Sequence, residues 1–152
     1  MKVYIGTDHA GFEYKEAIKE ALIADGYEVE DMGNTVYEEL DDYPDFIYPV
    51  AKTVAEDPEN RRGIVLGGSG QGEAIVANKV KGIRAAIAFS EFVVKASREH
   101  NNANVLSFGQ RACTKEEAIV WSKLWLKTEF PGEERHVRRI NKIKDLEEKL
   151  CK

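Results

Sequence analysis

The sequence predicts an α/β protein, a three-layer α/β/α arrangement with a five-stranded parallel sheet and an extra C-terminal helix. Two observations predict it. Short apolar runs alternate with longer stretches of helical period, and this happens five times along the chain. A sixth amphipathic stretch then follows with no strand after it. Repeated βα alternation implies a parallel sheet with helices on both faces. The crossovers are expected to be right-handed.

The elements follow in order. "KVYIGTD" (Lys2 to Asp8) reads as a strand with a polar end. Tyr14, Ile18, Ala21 and Leu22 recur at helical spacing, and Gly26 is a C-cap signal. "YEVEDMG" alternates in its first half, which suits a strand near a sheet edge. "DDYPDFIYPVAKTVAED" predicts the second helix. Its Pro44 suits a first turn, and Pro49 should make the early part irregular. "GIVLGG" is a strand of the fully buried type, "EAIVANKV" a helix, "GIRAAIAFS" a strand and "EFVVKASREHNN" a helix. "ANVLSFG" is the fifth strand. "TKEEAIVWSKLWLKTEF" is the fifth helix, opened by Thr114 and Glu117 as a capping box. In the last segment Val137, Ile140, Ile143, Leu146 and Leu150 are three to four residues apart. Such a helix can fold back or reach onto a second subunit.

A chain of 152 residues predicts one domain, residues 1–152, large enough to bury a core without staples. The net charge of −5 argues against non-specific nucleic-acid binding. No apolar run approaches a membrane span, and "MKVYIGTDHAG" lacks a signal-peptide pattern, so a cytoplasmic location is expected. Cys113 and Cys151 stand in no CxxC or CxH pattern, which predicts neither disulfide nor zinc site.

In an open parallel sheet, ligands bind beyond the carboxyl ends of the strands. Asp8 and His9 fall there after strand one, "GGSGQGE" after strand three, Ser90 after strand four, and Gln110 and Arg111 after strand five. His100 leads into strand five, so a simple βα layout puts it at the opposite edge. A role for it needs a bent helix or a site built with another subunit.

The glycine loop resembles a phosphate cradle but carries a carboxylate. A GxGxxG fingerprint counted from Gly68 and Gly70 needs glycine at Glu73. A Walker loop counted from Gly67 to Gly72 needs lysine there. Both nucleotide readings fail at that residue. The loop can still aim N–H groups at one spot, and an oxyanion formed during turnover is stabilised as a phosphate would be. A carboxylate beside that spot can be a general base for a carbon-bound proton. Glu73 is equally well read as a first-turn residue favoured by the helix dipole.

The other candidates have bland alternatives too. His9 contacts a ligand or caps a helix. Asp8 is an N-cap or a substrate contact. His100 complements a helix C-terminus, and Tyr43 stands before Pro44 as a staple. Arg135, His136, Arg138 and Arg139 form a solvated face, as most charge runs do, or a phosphate site, which a basic patch on an acidic chain makes worth noting.

Five motifs in order, "GTDHAGFEYKE", "DDYPDF", "GIVLGGSGQGEAIVANKVKGIRAA", "SREHNNANVLSFGQR" and "ERHVRRI", resemble ribose-5-phosphate isomerase type B. That family includes the two subunits of galactose-6-phosphate isomerase. The resemblance spans nearly the whole chain. It implies a Rossmann-like fold, no metal or other cofactor, and a homodimer or tetramer with the active site shared across the dimer interface. It implies that His100 opens the sugar ring, and that Asp8, Tyr43 and Asn101 orient hydroxyls. Gly68, Ser69, Gly70 and Gly72 would form an anion hole for the enediolate. His9, Arg111, Arg135, His136 and Arg139 would bind the phosphate, the C-terminal group coming from the partner.

Many members of the family carry a cysteine base where this chain has Gly67. A second branch has a glutamate at the position of Glu73, and this chain resembles that branch. Ser69 is then placed to hydrogen-bond and steer the Glu73 carboxylate. The expected activity is interconversion of ribose 5-phosphate and ribulose 5-phosphate, part of the pentose phosphate pathway. The alternatives are an isomerase of a six-carbon aldose phosphate, of allose- or galactose-6-phosphate type, and a non-catalytic sugar-phosphate-binding subunit.

Overall fold

A computed structural model describes residues 1–150 of the chain. Cys151 lies outside the described residues. The strands are β1 (Lys2–Thr7), β2 (Glu28–Asp31), β3 (Arg61–Gly67), β4 (Ala85–Ile87) and β5 (Val105–Gly109). The helices are α1 (Phe12–Ala24), α2 (Pro44–Glu56), α3 (Gln71–Ala77), α4 (Glu91–Asn101), α5 (Lys115–Lys127) and α6 (Glu134–Leu150). All four strand pairs are parallel, in the order β2-β1-β3-β5-β4. The sheet is therefore the five-stranded parallel one expected, covered on both faces. No helix is long and apolar enough to cross a membrane among the described residues.

The two-residue period of the strands divides the core. Val3, Ile5, Ile64, Leu66, Leu106 and Phe108 meet Ile18 and Leu22 of α1, Val94 of α4, and Trp121 and Trp125 of α5. Tyr4, Val65 and Val105 point the other way, against Ile47, Val50 and Val54 of α2 and Ala77 of α3. β2 and β4 are the edges, and their residues are half-buried or exposed.

Several expectations change in detail. α2 runs through Pro49 without interruption. The carbonyl that loses its partner belongs to Asp45, an exposed first-turn residue that water can satisfy. β4 has only three residues, because ahead of it the Ile83 amide turns back to the Val80 carbonyl and the Arg84 amide donates to the Asn104 side chain instead of to a strand backbone. α3 is seven residues long and starts at Gln71. Gly26, with φ of +87°, ends α1 as expected, and the Thr114–Glu117 capping box opens α5.

Lys15 lies on the Ile18–Leu22 stripe of α1 and is fully buried. Its Nζ donates to Asp31 and, at 2.7 Å, to the carbonyl of Asn34. Lys19 also reaches Asp31, at 2.8 Å. Lys15 thus ties α1 to the start of the loop between β2 and α2.

Replacing Lys15 by Met removes the buried cation and leaves the Asn34 carbonyl bare. Breaking a buried pair from one side costs about 3 kcal/mol. Urea unfolding should show a loss of that order, and an unchanged midpoint would contradict it.

Candidate active site

The chain order changes direction between β1 and β3, since β2 lies on one side of β1 and the later strands on the other. Their carboxyl ends flank a crevice suited to a ligand. Asp8 follows β1 and is buried. One of its oxygens, Oδ1, accepts from the Ala10 amide at 3.0 Å and caps a short 3-10 turn, His9–Gly11. The cap uses Oδ1 and leaves Oδ2 for a substrate, so the two readings of Asp8 are compatible.

The glycine loop follows β3. Gly70 has φ of +78°, which L residues avoid, and opens α3. The buried hydroxyl of Ser107 donates to its carbonyl at 2.7 Å and fixes the loop on β5. A Cβ on Gly72 would stand 2.8 Å from the Tyr43 ring, so glycine there lets Tyr43 lie over the loop. The Arg111 guanidinium lies 3.6 Å from where a Gly68 Cβ would be. Asp8, His9, Tyr43, Gly68, Ser69, Gly70, Gly72, Glu73 and Arg111 are all brought to this one edge.

Glu73 is only 4% exposed, and its Oε2 has no hydrogen-bond partner. Burial pushes its carboxyl above the ordinary 4.5, and the charge of Asp8 adds to this. The amides of Glu73 and Gly70 pull the other way. A Cβ on Gly67 would overlap the Glu73 carboxylate. The end of β3 thus needs glycine because a carboxylate occupies the side-chain space, and not because φ demands it. Ser69 does not steer Glu73 as expected. It is exposed, and its Oγ accepts from the Gln71 amide at 3.3 Å, closing a local turn.

His9 is held by Asp41, which sequence reasoning missed. Asp41 Oδ1 lies 2.7 Å from His9 Nδ1 and accepts from the His9 amide at 3.0 Å. Asn34 Nδ2 donates to Asp41 Oδ2. Atoms of Asp8, His9 and Asp41 lie within 4.8 Å of one another, close enough to consider a metal. The N–H donors around Asp41 already occupy both its oxygens, so the trio reads as a hydrogen-bonded cluster. His9 and Arg111 line a cavity of about 460 Å³ with Phe12, Tyr37 and Gln110.

The remaining candidates stand elsewhere. His100 ends α4, and its ring stacks on His136 of α6 with centroids 4.6 Å apart. Asn101 is beside it, its carbonyl accepting from Arg84 at 2.9 Å ahead of β4. Arg135 and Arg139 are exposed on α6 near the same edge, Arg135 paired with Glu133 at 2.9 Å. His136 differs from these arginines. It is buried, and burial lowers its pKa, with Arg135 contributing. The five residues of β5 separate this group from the glycine loop by roughly 17 Å. One chain therefore carries two half-constellations at opposite edges of its sheet.

The sequence matches the family model described as Ribose/Galactose Isomerase over residues 3–143. The chain belongs to this family, the one that holds the type B ribose-5-phosphate isomerases. It is 46% identical over 149 residues to a putative sugar phosphate isomerase, YwlF, of Bacillus subtilis, covering 98% of this chain and 99% of that protein. Identity to ribose-5-phosphate isomerase B of Mycobacterium tuberculosis is 44% over 147 residues, 97% of this chain and 90% of that one. The isomerase superposes on the Clostridium thermocellum enzyme with TM-score 0.93 at 44% identity, covering 99% of both chains. With the Mycoplasma genitalium enzyme, solved with bound ribulose-5-phosphate, the TM-score is 0.94 at 39% identity, covering 97% and 96%. The chain is thus a sugar-phosphate isomerase of the three-layer α/β/α fold.

A Gly67→Ala isomerase should fold, because the atom it meets ends a flexible side chain. The Glu73 carboxylate must move outward, and its pKa should fall back toward 4.5. Carbon-13 titration of the Glu73 carboxyl in both proteins checks this. An unmoved midpoint would show that Gly67 does not create the site of the carboxylate.

Proposed function

We propose that the isomerase interconverts ribose 5-phosphate and ribulose 5-phosphate, with Glu73 as the base. The observation that carries this reading is the buried carboxylate of Glu73, raised in pKa, beside a loop of backbone amides at the strand ends. Opening the furanose breaks the bond between C1 and the ring oxygen and moves a proton from the C1 hydroxyl to that oxygen. The imidazole of the partner's His100 can take one proton and return the other. Asp8, Tyr43 and the partner's Asn101 orient the hydroxyls.

Glu73 then removes the C2 proton, and the electrons form a cis-enediolate. The loop from Gly68 to Gly72 aims amide N–H groups at the oxygen that gains charge. A proton passes from the C2 hydroxyl to the neighbouring C1 oxygen, which moves the charge to the C2 oxygen; Glu73 then returns its proton to C1, and C2 becomes the carbonyl. The phosphate is held by His9 and Arg111, with Arg135 and Arg139 of the partner subunit. His136, buried under His100, serves that ring more directly than the phosphate.

The roughly 17 Å between the two groups supports a dimer that sets one chain's glycine loop against the other's α4 and α6. Ile143, Leu146 and Leu150 remain exposed on α6, which suits a partner surface.

In deuterated water, wild type should exchange the C2 proton of ribose 5-phosphate, and Glu73→Gln should slow this by ~10²–10⁴-fold. Near-normal exchange would remove Glu73 as the base. Because burial raises its pKa, the acid limb of kcat/KM should stand above pH 4.5, rate rising as Glu73 ionises. A limb at or below that value would contradict the proposed base.

The shared site has its own test. Glu73→Gln and His100→Ala proteins should each be inactive. Refolded together in equal amounts, they form hybrids with one intact site, restoring about a quarter of wild-type activity. No recovery from demonstrated hybrids would place both groups' work within one chain.

A further inference from the structure

His9 ends a chain of hydrogen bonds that begins in the core. Lys15, fully buried, donates to the Asn34 carbonyl at 2.7 Å. The Asn34 side chain binds twice. Its Oδ1 accepts from the Val36 amide at 3.1 Å, and its Nδ2 donates to Asp41 Oδ2. Asp41 Oδ1 accepts from both the amide and the ring of His9. The Asp41 side chain is 6% exposed and the His9 side chain 31%. Of the Asp41–His9 pair, the carboxylate is the buried member and the imidazole the open one, facing the cavity shared with Arg111.

An ionised carboxylate has no proton to give, so the 2.7 Å contact requires the proton on His9 Nδ1. Burial works against the Asp41 carboxylate, but the His9 and Asn34 donors outweigh it and hold its pKa below the ordinary 3.8. With Nδ1 committed, Nε2 is the nitrogen left for a ligand. The groups around the ring are Asp8 at the end of β1, Asp41, Glu39 and Tyr37 of the loop, Glu13 of α1, and Arg111 after β5. The hydrogen bond to Asp41 raises the His9 pKa most, and the charge of Asp8 adds to it.

We propose that Asp41 is a positioning residue for substrate binding: with Asn34 it fixes the His9 ring so that Nε2 faces the phosphate end of the sugar. This rests on the sugar-phosphate reading above. Asp41 itself touches no substrate. It sets which nitrogen of His9 is presented, and it favours the imidazolium, whose Nε2–H donates a charge-assisted bond to an anion. The loop between β2 and α2 thereby acts on the site through the His9 ring.

The tautomer is the readout that a merely structural role would not fix. In nitrogen-15 spectra of the histidine rings, assigned with His9→Gln, neutral His9 should carry its proton on Nδ1. Its midpoint should stand above 6.5 in wild type and fall in Asp41→Asn. Inorganic phosphate should shift Nε2 of His9. With ribose 5-phosphate, Asp41→Asn should raise KM about tenfold, the size of one charge-assisted bond, with kcat little changed. In the His9→Gln background the same change should add nothing.

Asp41→Asn also sets an amide against Asn34 Nδ2, so a second variant guards against a disturbed loop. The pair Asn34→Asp with Asp41→Asn can restore every hydrogen bond with the charge moved from position 41 to position 34. It should keep the Nδ1–H tautomer and recover part of the lost KM. A wild-type His9 protonated on Nε2, an unmoved midpoint in Asp41→Asn, or KM losses that multiply in the double variant would each overturn the proposal. So would a pair that keeps the tautomer and recovers no KM. Failure of wild type to turn over ribose 5-phosphate would instead sink the substrate reading, and the ring spectra with inorganic phosphate would still decide the role of Asp41.

Discussion

The site depends on a carboxylate buried where β3 ends and α3 begins. Glu73 can lie there only because residue 67 has no side chain, and the pocket it fills is the one a Cβ at 67 would claim. Burial costs the ionised form and so raises its pKa, and Oε2 has no donor to offset that cost. A group in that condition has a proton affinity suited to taking and returning a proton. The surrounding loop is shaped to keep it so. Ser107 fixes the Gly70 carbonyl, and Gly72 admits Tyr43 over the loop. The same glycines that suggest a nucleotide cradle in the sequence thus make room for an acid and for a ring.

Much of this was legible in the sequence, because periodicity and strand ends are strong signals. The alternation of apolar runs gave five strands and the faces they bury, and parallel-sheet geometry then placed Asp8, His9, the glycine loop and Arg111 at one edge. It also placed His100 at the other. Pattern says less about short edges. β4 reads as nine residues and pairs over three, since a turn at Ile83 and the Asn104 side chain take the amides ahead of it. Pro49 reads as a source of irregularity early in α2, but its lost bond falls on an exposed first-turn carbonyl.

The supporting polar contacts were not legible. Asp41 lies in an acidic run, and nothing local separates it from Asp42. Its partners His9 and Asn34 are 32 and 7 residues away, and a loop decides which carboxylate meets them. Lys15 had a faint signal, since it shares the stripe of Ile18 and Leu22, where a lysine is out of place unless paired. Ser69 shows the reverse error. Its closeness to Glu73 in sequence suggested a hydrogen bond, but its hydroxyl closes the turn to Gln71 instead.

The separation of the two constellations follows from strand polarity. In a parallel sheet every strand end that opens into a βα loop lies on one edge, and every helix that feeds a strand ends on the other. A residue at the end of α4 cannot reach the loop after β3 without crossing the length of β5. Bending α4 would abandon the Val94 contacts that hold it on the sheet. A two-fold partner meets the same need without distortion, because placing one edge against the opposite edge of a second copy makes two identical sites at once. On this reading assembly is part of the chemistry. The chain buries Glu73 and holds the His9 ring by itself, and in the proposed function the His100 imidazole comes from a second copy.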